Sequence, residues 1–176
     1  YNFGGAGYLE GTLIAEADGG DLVLVNDCRG DSYAAYQMNG VMYVASHTHN
    51  CEMIGGSIDQ FPRVEKRATA FTITPTTRVR PHADTNWDGK PAGTQLAWNP
   101  GLEPGSYTGQ TQAAWSITGN GSYLSYGGEF PSVNGDPQQG LVRFAMPGIA
   151  PNLEGPAFTT NQGPIVSTFA ASVAVS

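Results

Sequence analysis

The sequence is poor in charged residues and cysteine, and it has no long hydrophobic run. Only 13% of its 176 residues are Asp, Glu, Lys or Arg, about half the usual ~25% of a globular domain. No run approaches the ~20 apolar residues of a membrane-spanning helix, so we expect no membrane span. Two cysteines allow one disulfide at most. Because neither belongs to a Cys-x-x-Cys pair, a structural zinc site is excluded.

Signatures of common enzymes are also absent. The chain has no Gly-x-Ser-x-Gly nucleophile elbow and no glycine-rich phosphate loop. Its formal net charge of −7 opposes nonspecific binding to nucleic acid. No signature of an enzyme therefore stands out in the sequence.

Glycine and proline are abundant, at 24 and 12 residues, and they disfavour helices because both interrupt them. Turn dipeptides such as Asn39-Gly40 and Asn120-Gly121 recur along the chain. Short apolar or alternating runs between the turns predict about eight strands. The predicted strands are 9–15, 21–26, 41–45, 68–74, 95–98, 113–118, 141–146 and 165–175.

This pattern predicts an all-β chain, an antiparallel β-sandwich of jelly-roll type that forms a single domain over 1–176. The continuous apolar run 22–25 is typical of a strand covered on both sides, and 118–122 suits a tight hairpin turn. Two short helices are expected in loops. One spans Ser32–Met38, with Ser32 as its N-cap, and the other spans 57–61.

His47 and His49, with Glu52 nearby, form a candidate metal site. Histidines at i and i+2 of a strand project to one face and can share a metal ion, with Glu as a third ligand. The spacing resembles a cupin site, although it is one residue short, and Leu96 stands where the second cupin motif has its histidine. A cupin-like metal-binding enzyme, with His82 as a further ligand, is therefore an alternative hypothesis. The other hypothesis is that these histidines bind no metal and are only hydrogen-bonded or exposed.

Asp84 and Asp88 lie close together in a turn that ends on Gly89. Oxygen ligands at this spacing suit Ca²⁺, and a neighbouring subunit would complete the site. The alternative is a polar turn held by its own side chains. We expect no cofactor, and calcium at this turn is the one alternative.

Charge is unevenly distributed along the chain. Residues 1–60 hold eight acidic residues and one basic residue, whereas 63–90 hold six of the eight basic residues. This division predicts an interface in which an acidic face of one copy meets a basic face of another. The basic residues expected at this interface are Arg63, Lys66, Arg67, Arg78 and Arg80.

Two parts of the chain resemble the shell domain of small icosahedral RNA-virus coat proteins. In 58–77, a short turn with an aromatic residue leads through a basic alternating strand into Pro75-Thr76-Thr77. Segments 140–146 and 163–176 are similar to the last two strands of such shells, where a glycine precedes a long closing strand. The strands and turns in between follow the same order.

The resemblance implies a viral capsid protein of the virion that self-assembles in many copies around the genome and catalyses nothing. It also implies calcium between subunits, held by acidic loops such as the one with Asp84 and Asp88. Family members usually carry a basic N-terminal arm, and this chain shows none. Because the chain opens on Tyr1, we expect a processed or trimmed product. Either the arm preceded Tyr1 and is absent here, or this shell contacts its genome in another way. A secreted carbohydrate-binding β-sandwich, with exposed Trp or Tyr stacked on sugars, is a further alternative.

Overall fold

A computed structural model describes residues 9–83 and 85–149, together with four two-residue strands between residues 157 and 173. In this part of the chain the helical structure is one 3-10 turn, η1, at Glu52–Ile54. No helix among these residues is long and apolar enough to cross a membrane.

The remaining elements are strands. In chain order they are β1 Gly11–Ala15, β2 Leu22–Asp27, β3 Ser32–Met38, β4 Val41–Thr48, β5 Lys66–Thr72, β6 Thr77–Arg78, β7 Pro91–Ala92, β8 Ala114–Gly119, β9 Tyr123–Gly128, β10 Ser132–Val133, β11 Asp136–Pro137, β12 Leu141–Ala145, β13 Ala157–Phe158, β14 Pro164–Ile165, β15 Thr168–Phe169 and β16 Ser172–Val173.

Every strand pairing is antiparallel, and most join neighbours in the chain. Two sheets have three strands, β3-β4-β5 and β12-β9-β8, and the others are two-stranded hairpins or ribbons. None of these sheets closes on itself. The expectation of an antiparallel, all-β chain is therefore confirmed.

The sheet β3-β4-β5 lies between two separate cores. On one face it packs against β8, and Tyr43 of β4 contacts Trp98, whose ring also contacts Tyr126 and Phe144. We call these four rings and the apolar residues around them the aromatic core. Since neighbouring residues of a strand point to opposite faces, Met42 and Val44 of β4 enter a second cluster on the other face.

The second cluster is covered by the β1–β2 hairpin, by η1 and by β7. It contains Val25, Phe71 and the disulfide between Cys28 and Cys51, and we call it the disulfide core. Because β4 borders both cores, nearly all of its residues are buried. A continuous apolar run is the sequence pattern that such a strand requires.

The predicted helix over Ser32–Met38 is wrong, because this segment is strand β3 and pairs with β4. Asn39 and Gly40 form the connecting turn, with φ of 53° and 79°, a conformation that an Asn-Gly pair adopts readily. Ala34, Tyr36 and Met38 then alternate onto the aromatic core. The hairpin and its burial outweigh the modest helix propensity of Ala, Gln and Met.

The helix predicted at 57–61 is also wrong, since the helical turn lies earlier, at Glu52–Ile54. Gly55, with φ of 76°, ends that turn. Ser57 is then held in an extended loop, because its carbonyl accepts from the Cys51 N–H at 2.6 Å and its N–H donates to Gln95 Oε1 at 2.8 Å.

Most of the other predicted strands are confirmed with shifted ends, and the hairpin at 118–122 joins β8 to β9. The predicted strand 95–98 is reduced to a single bridge between Gln95 and Phe71. The predicted closing strand 165–175 lies outside the described residues, apart from β15, β16 and the end of β14.

Candidate functional site

His47 lies near the end of β4, and both of its ring nitrogens have partners. Nε2 accepts a hydrogen bond from the Asp31 N–H at 3.2 Å, and Nδ1 lies 2.5 Å from the Tyr33 hydroxyl. A neutral ring that accepts at Nε2 carries its proton on Nδ1, so Nδ1 donates to Tyr33. Neither nitrogen is free to bind a metal ion without breaking one of these contacts.

His49 and Glu52 both lie beyond the end of β4, and their side chains have different surroundings. The Nδ1 atom of His49 lies 3.4 Å from Asp59 Oδ1. Burial and the nearby Arg63 lower the pKa of His49, and Asp59 opposes that shift. Glu52 is exposed at the start of η1.

In the part of the chain that the structure describes, no three His, Cys, Asp or Glu side chains come together to hold a metal ion. One cause lies in the strand itself, because the β4–β5 register shifts between Ala45 and Thr48 and interrupts the regular alternation that the histidine spacing assumed. The cupin-like hypothesis stays a prediction, and this arrangement does not favour it.

The predicted calcium turn is described in part. Asp84 lies outside the described residues, and Asp88 is exposed. The turn around Asp88 is held by its own hydrogen bonds, because the Trp87 N–H donates to Thr85 Oγ1 at 3.1 Å and the Lys90 N–H donates to the Trp87 carbonyl at 3.0 Å. Calcium at Asp84 and Asp88 stays a prediction.

The five basic residues predicted at an interface are not equally available. Arg67 is largely buried, and its Nη2 lies 2.6 Å from Glu65 Oε2. Lys66 is half-buried, which lowers its pKa. Arg67 is therefore occupied within its own copy, and Lys66 is only partly accessible to another.

Arg63, Arg78 and Arg80 are exposed. Arg63 lies 3.9 Å from Asp59, a distance at which an exposed ion pair contributes little. The Arg78 guanidinium donates to the Gly89 carbonyl at 2.7 Å. These three cations can reach an acidic partner such as the exposed β1–β2 turn, which carries Glu16, Asp18 and Asp21.

The segment 58–64, between η1 and β5, carries an exposed apolar surface that the sequence analysis did not predict. Phe61 is fully exposed, and the side chains of Ile58 and Val64 are 62% and 50% exposed. We call this segment the apolar loop. Its apolar residues are three positions apart, a spacing that also matches one face of a helix.

Three large apolar side chains on one short loop are uncommon on the surface of a monomer. Clusters of this kind mark sites of interaction with other molecules, whereas single exposed apolar residues need no explanation. The apolar loop is therefore the strongest candidate interaction site in the described residues.

No family model, curated protein sequence or solved structure matches this chain.

Proposed function

We propose that this chain is a structural protein that works by assembly of its own copies, as the jelly-roll shell domain of an icosahedral viral capsid enclosing a genome. The apolar loop is the observation that carries the proposal. It lies inside the segment 58–77 that resembles the coat-protein shell, and it presents the apolar side chains that a permanent contact between subunits needs.

The energetic argument rests on Phe61. Burying a fully exposed side chain of this size contributes about 1.5–3 kcal/mol, and a central aromatic anchor of this kind dominates many interfaces. Obligate interfaces bury roughly 2,000–5,000 Å² in total and are more apolar than transient ones. The apolar loop supplies the centre of such an interface, with Ile58 and Val64 around the ring.

The charge pattern supplies orientation to the same contact. Arg63 lies on the apolar loop, and Arg78 and Arg80 are also exposed. The exposed acidic turn between β1 and β2 is the complement for these cations on another copy. Such pairs steer encounter and register more than they raise affinity.

A shell subunit must also be rigid. The middle sheet, packed between the aromatic core and the disulfide core, supports this requirement. The described sheets pair mainly strands that are neighbours in the chain. The jelly-roll arrangement of these sheets is therefore a proposal.

The proposal is tested by electron microscopy and sedimentation velocity of the full chain. We expect uniform spherical particles, and we expect Phe61→Asp to raise the concentration needed for assembly at least ~10-fold, which corresponds to ~1.4 kcal/mol. Leu141→Asp is the matched control for Ile58→Asp, since Leu141 on β12 is 61% exposed and Ile58 is 62% exposed. Ile58→Asp should impair assembly, and Leu141→Asp should not.

A chain that stays monomeric at every concentration tested would overturn the proposal. Particles that form equally well with Phe61→Asp would remove the apolar loop from the contact. Circular dichroism of each variant separates a loss of assembly from a loss of folding, and the exposure of Phe61 predicts that folding is unchanged.

A further inference from the structure

A cleft of about 510 Å³ lies between the segment 104–107 and the end of β9. Its volume falls in the ~300–1,000 Å³ range of small-molecule sites. Polar and apolar groups both line it, including Pro104, Ser106, Tyr107, Glu129, Pro131 and Gln139. It is distinct from the apolar loop, with which it shares no residue.

The walls of this cleft are held by backbone contacts. The Gly105 N–H donates to the Gln112 carbonyl at 2.7 Å, and the Glu129 N–H donates to the Ala113 carbonyl at 2.7 Å. A Cβ atom on Gly105 would stand 2.0 Å from the Glu129 carbonyl oxygen. Only glycine allows the two segments to approach so closely, so the chain's own contacts fix the distance between these two walls of the cleft.

The Glu129 carboxylate fixes the segment that carries Tyr107. Its Oε2 accepts from the Thr108 N–H at 2.8 Å, and its Oε1 accepts from the Thr108 hydroxyl at 2.7 Å and from the Trp115 indole N–H at 3.1 Å. These hydrogen bonds, those of Thr108 first, lower the pKa of Glu129. The carboxylate is therefore ionised at neutral pH, and it acts as a positioning residue for Tyr107.

Tyr107 is held beside the cleft with 95% of its surface exposed. A Tyr ring offers an apolar face with a polar edge, and it loses little conformational entropy on binding because it has few rotatable bonds. Ser106 and Gln139, which carry a hydroxyl and an amide, also line the cleft. An apolar platform flanked by hydroxyl and amide groups matches a molecule that has one apolar face and a polar rim.

Charge narrows the class of ligand further. The lining of the cleft contains the Glu129 carboxylate and no Lys or Arg, and the chain has a net charge of −7. Phosphate, sulfate and uronate groups would be repelled, and a nucleic-acid strand normally requires a positively charged groove.

The geometry points to a binding site for a neutral saccharide in this cleft. The apolar face of a pyranose ring stacks on Tyr107, and the sugar hydroxyls exchange hydrogen bonds with Ser106 and Gln139. This site does not depend on assembly of the chain.

The test is a titration of the full chain, at a concentration below that at which it assembles, with neutral hexasaccharides of glucose, mannose and N-acetylglucosamine, followed by NMR. The indole N–H resonance of Trp115 is a built-in reporter, because it is bonded to Glu129. At least one of these sugars should shift that resonance in a saturable way. Tyr107→Ala should weaken binding at least ~10-fold, and Tyr107→Phe should retain most of it.

Phe61→Ala is the matched control, since Phe61 is, within the described residues, the other aromatic side chain that is almost wholly exposed. It should leave saccharide binding unchanged. If none of the neutral hexasaccharides binds, or if binding persists unchanged in Tyr107→Ala, the inference is overturned. A preference for a sulfated glycan, for single-stranded DNA or for a proline-rich peptide over the neutral sugars would overturn it as well.

Discussion

The aromatic core and the disulfide core lie on opposite faces of one sheet, and they are stabilised in different ways. In the aromatic core, Trp98 contacts Tyr43, Tyr126 and Phe144 at ring-centroid distances of 5.0 to 5.9 Å. In the disulfide core, mainly aliphatic residues and methionines, with Phe71, surround the bond between Cys28 and Cys51.

Buried polar groups separate the two cores further. The disulfide core borders Asn26 and Asp27, whose side chains are completely buried. Asn26 Oδ1 accepts from the Gly93 N–H at 2.9 Å, whereas neither carboxylate oxygen of Asp27 has a hydrogen bond of good geometry. One core therefore gains its stability from packing, while the other combines a covalent link with a polar burial that carries a cost.

The largest effect on stability should come from the aromatic core. Tyr126→Ala removes a fully buried ring, and we expect it to lower the free energy of unfolding by about 3–5 kcal/mol, measured by denaturant titration. Tyr126→Phe is the control. It removes only the hydroxyl that donates to the Val44 carbonyl at 3.4 Å, so its cost should stay below ~1 kcal/mol.

Removal of the disulfide should have the second-largest effect on stability. The double variant Cys28→Ala and Cys51→Ala opens a link between residues 23 positions apart, and we expect a loss of about 2–4 kcal/mol, chiefly because the unfolded chain is less constrained. Reducing agent should lower the stability of the wild type and leave the double variant unchanged. If the double variant loses more free energy of unfolding than Tyr126→Ala, the disulfide core contributes more to stability than the aromatic core, and the expected order is wrong.

The smallest of these effects, and the only stabilising one, should come from Asp27. Burial raises the pKa of this carboxyl, although Thr85 and Arg29 oppose the shift. A raised pKa in the folded state means that protonation of Asp27 stabilises the fold below its unfolded pKa, and that this stability is lost as pH rises through the folded value. At neutral pH, Asp27→Asn should therefore stabilise the chain by roughly 1 kcal/mol.

Thermal unfolding of both proteins between acidic and neutral pH checks this sign. The advantage of Asp27→Asn should shrink as pH falls. Glu10 and Arg29 are the other charged groups that act on Asp27. Glu10→Gln is therefore the control, because it shows how much of the pH dependence of stability comes from Glu10 and not from Asp27. An advantage of Asp27→Asn that grows towards acidic pH would contradict the assignment.

The strands could largely be predicted from the sequence, because alternation and turn dipeptides are local signals. The error at Ser32–Met38 shows where local signals conflict. Ala, Gln and Met favour a helix there, and only pairing with β4 resolves the conflict in favour of a strand. The position of each strand within the layers is harder to predict from the sequence. The run 22–25 looked covered on both sides, but Leu22 and Val23 are half-buried, while β4 occupies the central position.

The candidate site was less predictable than the fold. Exposure of Phe61 depends on how the chain leaves η1, and no pattern within 58–64 encodes it. The same holds for Tyr107, whose position depends on Glu129, more than twenty residues later in the chain. Exposed aromatic residues can be expected to stack on sugars in general, but only the contacts between distant residues single out Tyr107.

The shared strand β4 has a consequence for how the molecule melts. Val44 and Ala45 face different cores, so neither core can lose its order without disturbing the backbone that supports the other. Differential scanning calorimetry should therefore record one heat-absorption peak whose calorimetric and van't Hoff enthalpies agree. The aromatic core and the disulfide core should unfold together, although their compositions differ.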